Sequence, residues 1–316
     1  MKNNNIKLSI IIPTKNRVNY LEEAILSIEK QTFSDYELII IDDNSKYDYR
    51  KMLKKFSNIN INYIKNNIDL FAHNSRKIGY EKAKGKYIIF MDDDDFYIDN
   101  DFFERAINIL ENDLSISTYI GSTQNFINEK LDKIIDLKCE GKISNEKYLN
   151  NFGRKFLKPS STLTAILRKR TLEKNDFHNC KMINDTCIFL YAIMSGEIYV
   201  DNVPVAAYRI HNTNISKRKF EFEFIKLCLN EKKKVYKKLR KDKKLENPFN
   251  WFLNQVEISA NYFICCSQYD IKTIIYILFW MLIYGKGIIV PYILKSMKRK
   301  VKILWQKTKK LYAILL

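Results

Sequence analysis

At 316 residues, 46% of them hydrophobic and 13% aromatic, the chain is long and apolar enough to bury a substantial core, which excludes a disordered protein. The formal charge of +18 is unevenly spread, because residues 217–316 hold 23 of the 54 Lys and Arg but only 7 of the 36 Asp and Glu. The first 216 residues are therefore close to neutral, which points to a globular portion carrying a basic module suited to an anionic lipid surface, with a nucleic-acid-binding arm as the rival.

The elements follow in chain order. Leu8 to Ile12 is a short apolar run, Tyr20 to Ile28 places Leu21, Ala24, Ile25 and Ile28 at helical spacing, and Glu37 to Ile41 is a second apolar run. Strand, helix, strand is the economical reading, with strands apolar on both faces as in a parallel sheet. The pattern recurs: Ile59 to Ile64 as a strand, His73 to Lys84 as a helix closed by Gly85, and Tyr87 to Met91 as a strand. Further on, the spacing predicts a helix near Asp101 to Leu110, strands near Ser115 to Ile120 and Thr162 to Leu167, and a helix near Ile183 to Met194. Ile198 to Ile210 reads as extended, and Lys219 to Lys244 as a basic helix ending before Pro248. The fold class is α/β, a Rossmann-like, mostly parallel twisted sheet flanked by helices.

In such sheets ligands lie beyond the carboxyl ends of the strands. Asn16 and Arg17 follow the first strand, Asp42 and Asp43 the second, and Asp92 to Asp95 the fourth. Four successive carboxylates repel one another unless a cation or solvent compensates them, and a hard divalent ion shared with a diphosphate is the natural compensator. An acidic turn ahead of a helix is the alternative.

The stretches SIIIPTKNR at 9–17, QTFSDYELIIIDDNS at 31–45 and FMDDDD at 90–95, approached through Lys84, Gly85 and Lys86, resemble family 2 glycosyltransferases of the GT-A fold. The resemblance implies an inverting, nucleotide-sugar-dependent enzyme. It implies that Pro13, Thr14, Asn16 and Arg17 border the nucleotide and that Asp43, with Asp42 beside it, accepts the uracil imide hydrogen. Arg76 would contact nucleotide or diphosphate, although Lys77 stands where the family commonly has Asn. In the DxD element, Asp92 would contact ribose or metal and Asp94 would ligate Mn²⁺ or Mg²⁺, with Asp93 and Asp95 able to shift that register. MINDTCIF at 182–189 resembles the family's Asn-Asp or Glu-Asp element and makes Asp185 the catalytic base. YRIHNTNIS at 208–216 resembles the Tyr-Arg-x-His segment and makes His211 a metal or diphosphate contact. Ser160 and Ser161 are candidates to face the acceptor. Each has a plainer alternative: a strand-ending turn for Asp42 and Asp43, a solvated helix arginine for Arg76, a helix N-cap for Asp185, and a structural ring for His211.

In the tail, Thr273 to Tyr284 is almost wholly apolar, and Gly285, Lys286 and Gly287 interrupt it before Ile288 to Leu294. Neither half reaches the roughly twenty residues a spanning helix needs, so a shallow interfacial hairpin is expected. Leu294, Met297, Val301, Leu304, Trp305, Leu311 and Leu315 follow helical spacing among lysines, as a basic amphipathic helix does. The six cysteines lack paired CxxC spacing, and Met1 to Lys7 is polar; both suit a reducing cytoplasm.

The expected organisation is a GT-A catalytic domain at 1–216 and a basic helical, membrane-surface region at 217–316. The expected activity is transfer from a UDP-sugar to a lipid-linked or growing glycan acceptor in surface polysaccharide synthesis, at the inner face of the cell membrane. No specific nucleic acid is expected as a partner, and oligomerisation stays open. The alternatives are a metal-dependent nucleotidyltransferase, which would release pyrophosphate, and a non-catalytic basic membrane or nucleic-acid adaptor.

Overall fold

The computed structural model describes residues 6–211, 222–266 and 271–285. Leu8–Thr14 (β1) is buried along its whole length. Val18–Glu29 (α1) turns Leu21, Ala24, Ile25 and Ile28 inward and delivers the chain to Tyr36–Asp42 (β2), which pairs parallel with β1 from Leu8↔Tyr36 to Thr14↔Asp42. Parallel pairing through this strand–helix–strand unit places both strand ends at the same rim. Arg50–Leu53 (α2) leads to Ile61–Lys65 (β3), parallel to β2. Phe71–Lys82 (α3) then crosses to Tyr87–Phe90 (β4), parallel to β1 on its other side.

After the short Phe96–Tyr97 (β5), the helix Phe102–Asn112 (α4) buries Phe102, Phe103, Ala106, Ile107 and Leu110. Next come Ile116–Ile127 (β6), Lys130–Ile134 (β7), Gly141–Ile143 (β8), Asn145–Asn151 (α5), Ala165–Arg168 (β9), Lys169–Lys174 (α6), Asp185–Ile193 (α7) and Glu197–Arg209 (β10). The ten-stranded sheet runs β3-β2-β1-β4-β9-β6-β10-β5, with β7 on β6 and β8 on β10. β9 is antiparallel to both of its neighbours, β4 and β6. The fold is α/β with a central sheet flanked by helices, as expected.

Two glycines permit close approach. The Gly85 amide donates to Ser9 Oγ at 2.8 Å, and a Cβ there would stand 2.6 Å from the Ser9 backbone nitrogen. At Gly79 a Cβ would overlap the Ile11 side chain, so the backbone of α3 packs directly on that β1 side chain. The expected strand at 162–167 divides into a single 3₁₀ turn, Thr162–Thr164, followed by β9. Periodicity did not anticipate α2, α5, α6, β5, β7 or β8, which are too short to show a period.

The described residues of Met1–Asn214 and Lys237–Glu246 form one compact unit, and those of Ile215–Tyr236 and Asn247–Leu316 a second. Lys237–Glu246, expected in the basic extension, thus belongs with the first unit. The helices of the second unit are Phe222–Lys241 (α8, as far as Tyr236), Pro248–Cys266 (α9) and Ile271–Gly285 (α10). Tyr236 stacks on Phe252 with ring centroids 4.5 Å apart, Phe252 meets Trp280 at 5.7 Å, and Phe222 meets Tyr276 at 4.9 Å. Among the described residues no helix is long and apolar enough to cross a membrane. The second limb of the expected hairpin and the amphipathic helix after residue 294 lie outside the described residues.

Candidate active site

The carboxyl ends of β1, β2 and β4 open onto one rim, and the side chains there form connected networks. Thr14, the last residue of β1, donates from Oγ1 to Asp93 Oδ2 at 2.7 Å. Just beyond it, Arg17 donates to Asp93 Oδ1 at 2.9 Å and to Asp94 Oδ2 at 2.7 Å. Asn16 takes a left-handed backbone, with φ of 56°. Its amide donates to Ser45 Oγ at 2.9 Å and its side-chain oxygen accepts from the Lys46 amide at 2.8 Å, so it joins the first loop to the second. Pro13 stays within β1, opposite Ile41.

The paired acids after β2 divide their work. Fully buried Asp42 accepts from the Ser45 amide at 2.8 Å and from Tyr63 Oη at 2.6 Å, so one oxygen holds the turn and the other ties it to β3. Asp43 accepts from Asn66 Nδ2 at 3.0 Å, the Leu70 amide at 2.9 Å and Ser75 Oγ at 3.2 Å, all on Oδ1.

Arg76 is not a solvated helix arginine: it is 5% exposed and reaches under the acidic loop. Its guanidinium pairs closely with Asp92, lies 3.4 Å from Asp185 and donates to the Ile183 carbonyl at 3.1 Å. Asp185 opens α7, but the N-cap is Asn184, whose Oδ1 accepts from the Cys187 amide at 2.9 Å. Capping is therefore done by the neighbour, and the Asp185 carboxylate faces Arg76 on one side and Lys158 Nζ, at 3.9 Å, on the other.

The chain returns to the rim at the end of β10. His211 Nε2 lies 2.9 Å from Asp94 Oδ2, and its ring stacks on Tyr20. Arg209 sits over the rings of Tyr20, Phe96 and Phe126 at 4.9, 5.3 and 4.7 Å. Its amide donates to Asp95 Oδ1 and its Nε to the Asp94 carbonyl, both at 2.9 Å, so β10 pins the acidic loop through its backbone as well as its carboxylates. Ser161 is buried and leans on the Asp95 carboxyl without closing a hydrogen bond of normal geometry. Ser160 is partly exposed on the same loop.

Electrostatically the rim is crowded with carboxylates. Desolvation pushes Asp93 up to about 7 against the pull of Arg17. Burial raises Asp92 against Arg76, and burial together with Asp94 and Asp92 holds Asp95 well above the ordinary carboxylate range. Buried carboxyls raised this way are poised for an additional cation to favour their charged forms. Among the described residues no three His, Cys, Asp or Glu side chains surround one cation position. Asp94 and His211 supply two donors at one point, and that set fits a hard ion that takes its remaining ligands from substrate phosphate and water.

Lys158, Arg209 and Tyr49, whose hydroxyl accepts from the Arg17 amide at 3.0 Å, were not assigned roles from sequence. Lys158 lies two residues before Ser160, and Arg209 stands inside the YRIHNTNIS stretch, but nothing local to either stretch reveals where its charge points.

A twisted α/β sheet whose strand ends gather acids, arginines and a histidine at one rim defines a GT-A-type, nucleotide-sugar-handling enzyme. The sequence model of Glycosyl transferase family 2 matches residues 9–176, and the chain belongs to that family and is a glycosyltransferase. It is 27% identical over 216 residues to the Escherichia coli UDP-Glc:alpha-D-GlcNAc-diphosphoundecaprenol beta-1,3-glucosyltransferase WfgD, covering 68% of this chain and 81% of that one. It is 39% identical over 92 residues, 28% of this chain and 30% of the other, to the Campylobacter jejuni GalNAc(5)-diNAcBac-PP-undecaprenol beta-1,3-glucosyltransferase. A fragment of S. aureus TarS in complex with UDP-GlcNAc superposes with a TM-score of 0.59 at 16% identity, covering 81% of each chain. The Pyrobaculum calidifontis mannosyltransferase PcManGT, in complex with GDP-Man and Mn²⁺, superposes with a TM-score of 0.53 at 12% identity over 93% of this chain and 80% of that one. At such identities these two structures show the shared fold.

Proposed function

We propose that this glycosyltransferase moves a sugar, with inversion, from a UDP-sugar to a hydroxyl of a lipid-linked or growing glycan acceptor in surface polysaccharide assembly. The observation that carries the reading is the convergence of Arg17, Arg76, Asp92 to Asp94, Asp185 and His211 from five separate stretches onto one rim. The E. coli and Campylobacter relatives, whose names specify diphosphate-linked polyprenol acceptors, support the acceptor class.

In this reading Asp43, with its three protein donors on Oδ1, turns Oδ2 to the uracil imide N–H. Pro13, Thr14, Asn16 and Arg17 wall the nucleotide, with Asp42 holding the turn beneath it and Asp92 and Asp93 lining the floor. Asp94 and His211 would hold a divalent cation, Mn²⁺ or Mg²⁺, which would offset the negative charge growing on the departing diphosphate. Asp185 takes the proton of the acceptor hydroxyl as that oxygen forms its bond to the anomeric carbon. The carbon–oxygen bond to the diphosphate breaks on the opposite face, and UDP leaves with the bonding pair. Arg76 keeps Asp185 and Asp92 from repelling one another, and Lys158 stands beside the base on its other side. The enzyme works from the cytoplasmic side, attached peripherally to the membrane by its basic region.

The test is a panel of nucleotide sugars assayed for nucleoside diphosphate release with Mn²⁺, with Mg²⁺ and with chelator. Turnover of one UDP-sugar that requires the cation is expected. A folded protein that turns over none of them, or that releases pyrophosphate from a nucleoside triphosphate instead, overturns the reading.

A further inference from the structure

We infer that α10 lies in the membrane interface, with one apolar face inserted among the acyl chains of an anionic leaflet. The helix has two faces. Thr273, Ile277, Trp280 and Met281 are buried within the second unit, Trp280 against Phe252. On the opposite face Ile271 is 72% exposed, Ile275 61%, Phe279 59% and Leu282 56%. Steps of four, four and three residues keep these side chains on one stripe, about 17 Å long at 1.5 Å per residue. Scattered exposed apolar residues are ordinary on a protein surface, but a continuous stripe of large ones marks a contact site.

The surrounding charge selects the occupant. Lys272 lies within the stripe's first turn, its Nζ 4.9 Å from the Phe222 ring, and the sequence beyond Gly285 carries nine Lys and Arg and no Asp or Glu. A second copy would offer only the same net-positive sequence, whereas anionic headgroups compensate these cations while the acyl region takes the stripe. A polynucleotide would satisfy the lysines and leave Ile275, Phe279 and Leu282 in water. A helix of 15 residues spans about 22 Å, short of a bilayer's hydrocarbon core, so it lies along the interface and does not cross it. The inference deepens the proposed peripheral attachment by naming its apolar element, and it places the enzyme on the leaflet where a lipid-linked acceptor would be presented.

The experiment is flotation of the full-length protein with phosphatidylcholine vesicles and with vesicles that also contain phosphatidylglycerol, at low and at high salt. The wild type is expected to float with the anionic vesicles and to stay partly bound at high salt. The triple variant Ile275→Asn, Phe279→Asn, Leu282→Asn is expected to bind roughly a hundredfold more weakly and to be released fully by salt. The conservative Ile275→Leu, Phe279→Leu pair is expected to bind as the wild type does. Three results overturn the inference: flotation of the triple variant equal to wild type, a change in sedimentation mass with flotation unaltered, or wild-type binding that polynucleotide competes away at both salt concentrations. Donor hydrolysis in vesicle-free buffer, expected to be equal in both proteins, monitors folding. Its absence from both would count against the UDP-sugar reading and leave the vesicle result to stand by itself.

Discussion

Arg76→Met removes the guanidinium that joins the Asp92 and Asp185 carboxylates, while keeping most of the apolar volume of the side chain. Breaking a buried ion pair costs about 3 to 5 kcal/mol. Here the arginine side chain is 6% exposed, but the Asp92 and Asp185 side chains keep 34% and 30% of their surface in contact with solvent, which moderates the loss to about 2 kcal/mol. Losing the donor to the Ile183 carbonyl adds to this on the same stretch that carries Asp185. Two carboxylates left facing each other should separate, and displacing a proposed base by roughly 1 Å lowers turnover on the order of a hundredfold. The assay pairs urea denaturation with steady-state kinetics of transfer and equilibrium binding of UDP. The expected pattern is lower stability and lower kcat with UDP affinity changed little, and Arg76→Lys should recover part of the stability but not kcat, because an ammonium cannot reproduce the fork. If Arg76→Met instead weakened UDP binding and left stability and kcat intact, Arg76 would be a nucleotide contact and the coupling argument would be refuted.

Asp94→Asn and Asp185→Asn should each lower transfer by at least about a hundredfold, but only Asp94→Asn should also weaken cation-dependent UDP binding, which calorimetry with and without Mn²⁺ distinguishes. Arg209→Lys should lower stability by about 1 to 2 kcal/mol in urea melts through loss of the Asp94 carbonyl contact and the stacking over three rings, with UDP dissociating faster as the acidic loop loosens. Gly85→Ala, far from the rim, should cost about 2 kcal/mol in urea melts because a methyl group meets the Ser9 backbone, with the kcat of the folded enzyme unchanged. Arg168 is 1% exposed and donates to the Leu110 and Ile116 carbonyls at 2.6 and 2.9 Å. Arg168→Met strands both carbonyls and should cost about 3 kcal/mol without altering UDP affinity.

The amino-terminal half was legible because its signals are local. Strands apolar on both faces, the helical spacing of Leu21, Ala24, Ile25 and Ile28, and acids directly after the strands all lie within single stretches, and a parallel sheet aligns strand ends automatically. The motif resemblance rested chiefly on such contiguous residues at 9–95, and the family match covers them within residues 9–176. After residue 110 the strands pair across long separations and out of simple register: β10 lies beside β6 with register shifts at Asp201/Pro204 and Pro204/Ala206. No period in the sequence encodes such pairing.

Composition and motif alone determined the family, the α/β class, the acidic rim and the separation of a near-neutral portion from a basic one, because each depends on residue type and neighbours in sequence. Tertiary structure decided what each charged group faces. It turned Asp42 into the turn and gave the cap of α7 to Asn184, leaving Asp185 turned toward Arg76. It brought His211 within hydrogen-bonding distance of Asp94 across 117 positions, and it buried Arg76 between carboxylates that sequence keeps far apart. Coulomb and hydrogen-bond energies depend on distances of a few ångströms, and only the packed fold sets those distances.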